Sequence, residues 1–157
     1  MLFDFDLEFV IIKLEKLRGK DMTKIAVLSD IHGNTTALEA VLADAQKSEV
    51  DEYWLLGDIL MPGTGRKNIL QSLNTLPITL RVLGNWEESL WRACHRQLDE
   101  SRPSHRYLLR QCQYIMEELS IEEIEALQDY PLQVHRQFGD LKLGISHHLP
   151  DKNWGRE

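Results

Sequence analysis

The chain has 157 residues, of which 43% are hydrophobic and 27% are charged, the composition of one folded domain of ordinary size. Its formal net charge of −7 argues against a dedicated nucleic-acid binder, because affinity for a phosphate backbone comes mainly from Lys and Arg. A small phosphorylated substrate is compatible with this charge, since bound metal ions can supply positive charge locally. No apolar run of the sequence is long enough to cross a membrane.

Residues 1–21 do not have the pattern of the first element of a fold. Apolar and acidic residues alternate there, as in either a strand or an amphipathic helix, and a second methionine, Met22, stands just before the first buried strand. We predict that translation begins at Met22 and that residues 1–21 are a leader outside the domain at 22–157. The leader is acidic where a secretory signal is basic, and it lacks a small-residue cleavage site, so a cytoplasmic location is expected.

The first strand of the domain is predicted at Lys24–Ser29, a short apolar run that ends in a polar loop. Asp30 and His32 follow it. Side chains two residues apart in extended backbone project to the same side, so a carboxylate oxygen and an imidazole nitrogen can meet at one metal ion. Gly33 permits a sharp turn, and the helix starting at Thr35 offers N–H groups to an anion. In the alternative interpretation, Asp30 caps this helix and His32 is a polar loop residue.

Two further strands repeat this pattern of an apolar run that ends in polar residues. Gly57-Asp58 follows the second strand and Gly84-Asn85 follows the third. Strands that alternate with helices predict a mostly parallel sheet, in which ligands bind beyond the carboxyl ends of the strands. We therefore expect the polar residues at all three strand ends to share one edge of the sheet. The predicted elements are a helix at Thr35–Ser48, a strand at Glu52–Leu56, a helix at Asn68–Leu76 and a strand at Pro77–Leu83.

The loop after Asp58 contains Pro62, Gly63 and Gly65 and is too irregular for a Walker-type phosphate loop. Arg66 and the backbone N–H groups of this loop are candidates to contact a substrate phosphate. An ordinary turn explains the same residues equally well.

The stretch Glu88–Tyr130 is predicted to be helical, with a capping box formed by Ser120 and Glu123. Cys94 and Cys112 lie in this stretch and are predicted to be buried free thiols. Neither has a second Cys or His at metal-finger spacing, and nothing in the sequence indicates an oxidising compartment.

A β-hairpin is predicted after the helical stretch. Two alternating segments, Leu132–Phe138 and Leu141–Ser146, flank the turn residues Gly139-Asp140. The second segment ends in His147-His148.

The motifs Asp30-x-His32, Gly57-Asp58, Gly84-Asn85 and His147, each at a strand end, resemble those of the calcineurin-like metallophosphoesterase superfamily. Their order matches, as does the helical insertion after the asparagine. The chain looks most similar to the bacterial branch that includes small phosphodiesterases and symmetrical diadenosine tetraphosphate hydrolases. This resemblance implies an α/β fold, a two-sheet α/β/β/α sandwich with a helical insertion.

The resemblance also implies a site with two divalent metal ions. Carboxylate, amide and imidazole donors suit Mn²⁺ or Fe, with Zn²⁺ as an alternative. By position in the motifs, Asp30 and His32 would bind the first ion, Asp58 both ions, and Asn85 and His147 the second.

The reaction implied by the resemblance is direct attack of a metal-bound hydroxide on the phosphate, without a covalent intermediate. Asp58, Asn85 and His148 are the candidate catalytic residues. His148 is also the alternative metal ligand to His147, because only one of the two is expected to point inward from the strand end.

The chain departs from the family pattern at Trp86-Glu87, where the family usually has His-Asp. Indole has no proton to give to a leaving group at working pH. An alkoxide leaving group would suffer from the loss of an acid, whereas a phosphate leaving group, with a second pKa of about 6, needs none. We therefore predict a preference for phosphoanhydrides, such as diadenosine tetraphosphate, over alkyl phosphate esters. Trp86 is also a candidate to stack on a nucleotide base, with a packing role as the alternative.

A second departure is that no Gly-His-x-His motif, which closes the site in the family, occurs up to Glu157. The sequence is therefore interpreted as the amino-terminal part of such a sandwich. Made alone, it is expected to bind metal weakly, to turn over slowly and to form homo-oligomers through an uncovered apolar face. The alternatives are a non-catalytic metal- or nucleotide-binding remnant and a protein phosphatase.

Overall fold

The computed structural model describes residues 8–15 and 22–148. Its centre is a four-stranded sheet with the strand order β1-β2-β3-β4. The last three strands are parallel, as predicted, and β1 is antiparallel to β2. The strands are β1 at Glu8–Glu15, β2 at Met22–Ser29, β3 at Glu52–Leu55 and β4 at Ile78–Arg81.

Strand β1 lies within the predicted leader. It pairs with β2 along its whole length, from Glu8 opposite Ser29 to Glu15 opposite Met22. The expectation that residues 1–21 lie outside the fold therefore differs from the structure at residues 8–15. The sequence FVIIKL within them is rich in residues that favour extended backbone, and it forms the edge of the sheet. Residues 1–7 and 16–21 lie outside the described residues, and a start at Met22 stays a prediction.

The helices and the hairpin follow the predicted order, with one informative difference. The third helix begins at Asn85, immediately after Gly84, so that Asn85 belongs to its first turn. The helices are α1 at Thr35–Lys47, α2 at Lys67–Asn74, α3 at Asn85–Cys94, α4 at Pro103–Ile115 and α5 at Ile121–Gln128, and the hairpin strands are β5 at Gln133–Phe138 and β6 at Leu141–Ser146.

The central sheet has a core on each face. Because successive side chains of a strand point to opposite faces, Ala26 and Leu55 lie in the core shared with the helices, whereas Ile25 and Trp54 lie in the core shared with the hairpin. Ile145 of β6 completes this second core. A register shift of one residue would exchange the two faces, so the apolar pattern fixes where each strand ends.

One prediction for the helical region is wrong. Cys94 and Cys112 are not free thiols but form a disulfide between α3 and α4, with a Cα–Cα distance of 5.8 Å. Their separation of 18 residues gave no sign of this contact, which depends on how the two helices pack.

The longest helices of the described chain, α1 and α4, have 13 residues each. Within residues 8–15 and 22–148, no helix combines the length and the hydropathy that a membrane crossing requires.

Candidate metal centre

Two loops lie side by side beyond the carboxyl ends of β2 and β3. We call residues 30–33 the first loop and residues 57–59 the second loop. Backbone hydrogen bonds continue the strand pairing into these loops, so their side chains are brought together by the sheet itself. The N–H groups of Asp30, His32 and Gly33 donate to the carbonyl oxygens of Gly57, Asp58 and Ile59, at 3.2, 2.8 and 2.8 Å respectively.

The backbone of both loops is left-handed at the residues that carry the site. Asp30, His32 and Asp58 have φ angles of 57°, 47° and 56°. The structure thus brings Asp30 and His32 together through a tight turn, and not through the extended backbone that the sequence suggested. Such angles are costly for residues other than glycine and persist where the surrounding structure fixes them. At Gly33 a Cβ atom would lie 2.6 Å from the carbonyl oxygen of Leu60, so only glycine fits.

The side chains of Asp30, His32 and Asp58 form one cluster. One ligand atom from each lies within 4.8 Å of the others. His32 Nε2 is 3.5 Å from Asp30 Oδ1 and 3.8 Å from Asp58 Oδ2. The Nδ1 atom of His32 faces the carbonyl oxygen of Met61 and must donate to it, which leaves Nε2 as the nitrogen that can bind a metal ion.

A second group of donors meets Asp58 from the other side. His147 Nε2 lies 3.2 Å from Asp58 Oδ2 and 3.1 Å from Asn85 Oδ1. Its Nδ1 atom donates to the carbonyl oxygen of Leu56 at 2.6 Å, so that Nε2 again faces the carboxylate. Asp58, whose side chain is 3% exposed, therefore lies between the first cluster and this pair.

His148 also reaches the site, which corrects the expectation that only one of the two histidines points inward. Its Nε2 atom lies 2.8 Å from Asn85 Oδ1, and its ring centroid is 4.3 Å from that of His147. The alternation of a strand does not apply here, because β6 ends at Ser146 and the chain bends at the two histidines.

The electrostatics of the cluster favour positive charge. Burial alone would lower the pKa of His147, but its hydrogen bond and ion pair with Asp58 outweigh this and raise the pKa to about 9. The pKa of His32 is also raised, since its contacts with Asp30 and the Met61 carbonyl outweigh burial. Burial alone would raise the pKa of Asp30, but its hydrogen bonds with His32 and Ser29 lower it.

The donor chemistry fits divalent metal ions. Two carboxylates, one amide and two imidazoles converge, and each of the two imidazoles is oriented by a backbone carbonyl through its other nitrogen. This second hydrogen bond is the usual arrangement for histidines that bind metal. Oxygen and nitrogen donors of this kind suit Mn²⁺, Fe or Zn²⁺.

A family model of the calcineurin-like phosphoesterase superfamily domain matches residues 23–154. The chain belongs to this superfamily. No significant match was found among curated proteins. The superfamily membership predicted from the strand-end motifs is confirmed, while the closer resemblance to diadenosine tetraphosphate hydrolases stays a prediction.

Two solved structures are similar to this phosphoesterase-superfamily chain. A metallophosphoesterase from Sphaerobacter thermophilus is 32% identical, with a TM-score of 0.52 over 71% of this chain and 43% of that chain. A hypothetical protein from Pyrococcus horikoshii is 20% identical, with a TM-score of 0.59 over 76% of this chain and 52% of that chain, and supports the fold alone. The chain thus spans about half the length of these two proteins.

Trp86, the residue at which this chain departs from the superfamily pattern, lies against the cluster. Its ring meets the His32 ring edge-on, with centroids 6.0 Å apart and planes at 86°. Its backbone N–H donates to Asp58 Oδ1 at 3.0 Å. The ring also packs against the helix-side core, so that Trp86 combines a packing role with a place beside the site.

Arg66, a predicted phosphate contact, is placed against helix α4. Its guanidinium lies 2.7 Å from the Glu117 carboxylate and 2.5 Å from that of Glu118, and 4.0 Å above the ring of Tyr114. Two carboxylates thus already compensate its charge. The structure therefore gives Arg66 a role in holding the end of its loop on α4.

Sequence reasoning missed one residue of the site, Glu87. This glutamate is 2% exposed, and its carboxylate accepts hydrogen bonds from the backbone N–H groups of Asp58, Ile59 and Gly84. Burial raises its pKa and the nearby Asp58 raises it further, against the effect of the three hydrogen bonds. The available signal was its position three residues after Gly84, the spacing of a capping box.

Proposed function

We propose that this protein is a metal-dependent phosphoesterase that acts on small phosphorylated substrates with two divalent metal ions. The observation that carries this proposal is the position of Asp58 between two groups of donors. Asp30 and His32 lie on one side of it, and Asn85 and His147 lie on the other. A carboxylate shared in this way is what a pair of metal ions requires.

The residues of the chain hold and orient this site. The side chains of Asp58, His32 and His147 are buried and would bind the ions from the protein interior. The Asp30 side chain is 30% exposed and lies on the solvent side of the site. Two divalent ions activate water and neutralise the charge of the phosphate during in-line displacement. The chain itself has a net charge of −7, so this local positive charge is what allows an anionic substrate to approach.

We further propose that the substrate is a phosphoanhydride, with nucleotide polyphosphates as the main candidates. Trp86 stands at the motif position where the superfamily usually has the histidine taken to protonate the leaving group, and its ring centroid lies 6.0 Å from that of His32. The indole cannot protonate a leaving group. A phosphate leaving group needs no such proton, and the aromatic ring offers a face to a nucleotide base.

The metal dependence can be tested by phosphate release from p-nitrophenyl phosphate and from diadenosine tetraphosphate, with and without Mn²⁺. We expect hydrolysis that requires Mn²⁺, that a chelator stops, and that Asp58→Asn abolishes. Asp44→Asn is the matched control, because Asp44 is exposed on α1. If no substrate is hydrolysed with any divalent ion by the folded protein, the site is a non-catalytic remnant and the proposed function is wrong.

The substrate class can be tested with a change of leaving group. Diadenosine tetraphosphate is expected to react much faster than an alkyl phosphate such as glycerol phosphate. The variant Trp86→His restores an acid beside the site, and we expect it to raise the rate for the alkyl phosphate more than the rate for the anhydride. Equal rates for the two substrates in the wild-type protein would contradict the preference for phosphoanhydrides.

A further inference from the structure

The carboxylate of Glu87 is buried within the same small volume as that of Asp58. A buried carboxylate is costly unless hydrogen bonds compensate it, and a second carboxylate nearby adds repulsion. Glu87 is 2% exposed and Asp58 is 2% exposed. The fold therefore keeps Glu87 in a position where it needs several strong partners.

The partners of Glu87 are three backbone N–H groups from two separate loops. Its Oε2 atom accepts from Asp58 N at 2.8 Å and from Gly84 N at 3.0 Å, and its Oε1 atom accepts from Ile59 N at 2.7 Å. One carboxylate thus joins the second loop to the start of helix α3.

These bonds hold the second loop on the side opposite to the first loop. On one side, the carbonyl groups of residues 57–59 accept from the first loop. On the other side, β4 has already ended at Arg81, and the last backbone bond from that segment to β3 is the one from Val82 N to Leu55 O, at 3.0 Å. Glu87 therefore takes the place of a neighbouring strand for the N–H groups of Asp58 and Ile59.

The two loops that Glu87 joins are in direct backbone contact. At Gly57 a Cβ atom would lie 2.4 Å from the nitrogen of Gly84, and at Gly84 a Cβ atom would lie 2.2 Å from Asp58 Oδ1. Nothing larger than hydrogen fits between them. The separation of Asp58 from Asn85, which follows Gly84, is therefore set by this contact and by the carboxylate that holds it together.

We propose that Glu87 is a positioning residue of the metal centre. By binding the backbone of Asp58, Ile59 and Gly84, it fixes the carboxylate of Asp58 and the amide of Asn85 at the spacing that one pair of ions needs. This inference rests on the proposed function, because it concerns the affinity for those ions.

The test is calorimetric titration of Mn²⁺ into chelator-treated protein, for the wild type and for Glu87→Gln. Glutamine keeps the shape, but its NH₂ group opposes at least one of the three backbone N–H groups. We expect Mn²⁺ affinity to fall about 10–100-fold, the usual loss when a group that orients metal ligands is changed. Glu123→Gln is the matched control, since Glu123 occupies the same capping-box position on α5, and it should bind Mn²⁺ as the wild type does.

Amide NMR spectra of the metal-free proteins provide a readout that does not depend on activity. The amide protons of Asp58, Ile59 and Gly84 should shift in Glu87→Gln and stay unchanged in Glu123→Gln. Should Glu87→Gln not fold, Glu87→Asp, which is one methylene shorter, answers the same question by the same titration.

Each outcome decides a separate claim. If the wild type binds Mn²⁺ and the folded Glu87 variant binds it equally well, the positioning role is wrong and the proposed function stands. If the wild type binds no divalent ion, the proposed function fails, and the positioning role fails with it. Weaker binding by the Glu87 variant, with unchanged binding by the Glu123 variant, supports both.

Discussion

Helices α3 and α5 begin with the same local pattern, a glutamate three residues after the N-cap, but the two glutamates have different hydrogen-bond partners. In α5 the box is closed locally: Ser120 Oγ accepts from Glu123 N at 3.3 Å, and the Glu123 carboxylate accepts from Ser120 N at 2.9 Å. In α3 the N-cap is Gly84, which has no side chain, and only the carboxylate half of the box exists.

The missing half at α3 is supplied from elsewhere in the chain. Asp58 Oδ1 accepts from the backbone N–H of Trp86, which a capping side chain would otherwise bind, and the carboxylate of Glu87 extends to the second loop. The start of α5 is therefore a surface feature that stabilises its own helix. The start of α3 is part of the site, because a candidate metal ligand caps the helix and the helix positions that ligand.

The largest effect is expected when the two N-cap residues are changed to alanine. Ser120→Ala loses one capping bond, at a cost of about 1 kcal/mol in the free energy of unfolding. Gly84→Ala places a Cβ atom 2.2 Å from Asp58 Oδ1 and 2.4 Å from Asp58 N, so overpacking should cost up to about 3 kcal/mol and disrupt Mn²⁺ binding. Urea denaturation in the presence of a chelator measures the loss of stability of each variant. Equal losses would show that the two helix starts are equivalent.

A somewhat smaller effect is expected at Asp58, and it separates the two roles of this residue. Asp58→Asn keeps an oxygen for the Trp86 N–H but removes the ion pair that raises the pKa of His147 to about 9, so at pH 7 its stability in chelator should be lower than that of the wild type. The difference should shrink as the pH rises through about 9, because His147 then loses its charge in the wild type. The variant should lose the stabilisation that Mn²⁺ gives the wild type, about 2.7 kcal/mol at 100 times the dissociation constant.

The comparison with Asp58→Ala isolates the capping role. Alanine removes the acceptor as well as the charge, so in chelator this variant should be about 1 kcal/mol less stable than the asparagine variant. Equal stability of the asparagine and alanine variants without metal would contradict the view that Asp58 caps α3.

A smaller effect again is expected at His148, whose ring contacts Asn85 and the ring of His147 but has no ion pair with Asp58 among the contacts described above. His148→Ala should weaken Mn²⁺ binding about tenfold, the low end of the range for residues that orient ligands. His147→Ala should weaken it by more than about 100-fold, because His147 also contacts Asp58 and its side chain is 3% exposed. Calorimetric titration gives both values, and the reverse order would make His148 the ligand.

The smallest effect is expected at Arg66, which forms ion pairs with Glu117 and Glu118 in the segment between α4 and α5. Arg66→Gln should leave Mn²⁺ affinity and KM unchanged, because Glu117 and Glu118 already bind its guanidinium. Steady-state kinetics with diadenosine tetraphosphate measure this. A raised KM with normal Mn²⁺ affinity would instead support the phosphate contact predicted from the sequence.

The strand ends show how far sequence reasoning extends. Asp30, Asp58 and Asn85 could be assigned to one sheet edge because apolar runs mark parallel strands, and parallel strands end together. The family resemblance added His147, and the structure brings it to Asp58. These predictions succeed because they depend on local pattern and on topology.

What the sequence could not predict depends on contacts between distant segments. The disulfide of Cys94 and Cys112 follows from the packing of two helices. Glu87 binds the backbone of Asp58 and Ile59, which precede it by 29 and 28 positions in the sequence. These bonds follow from the contact of two loops, and no local pattern specifies them. His148 reaches Asn85 through a bend after β6 that strand alternation does not describe.

The most direct test of the account is anomalous X-ray diffraction from crystals of the protein soaked with Mn²⁺. The account predicts two manganese peaks, one beside Asp30, His32 and Asp58 and the other beside Asp58, Asn85 and His147. If the Asp58 carboxylate lies within bonding distance of both peaks, Asp58 is the ligand that bridges the two ions. Manganese peaks only at other places, or none in the soaked crystals, would contradict the assignment of this sheet edge as a metal centre.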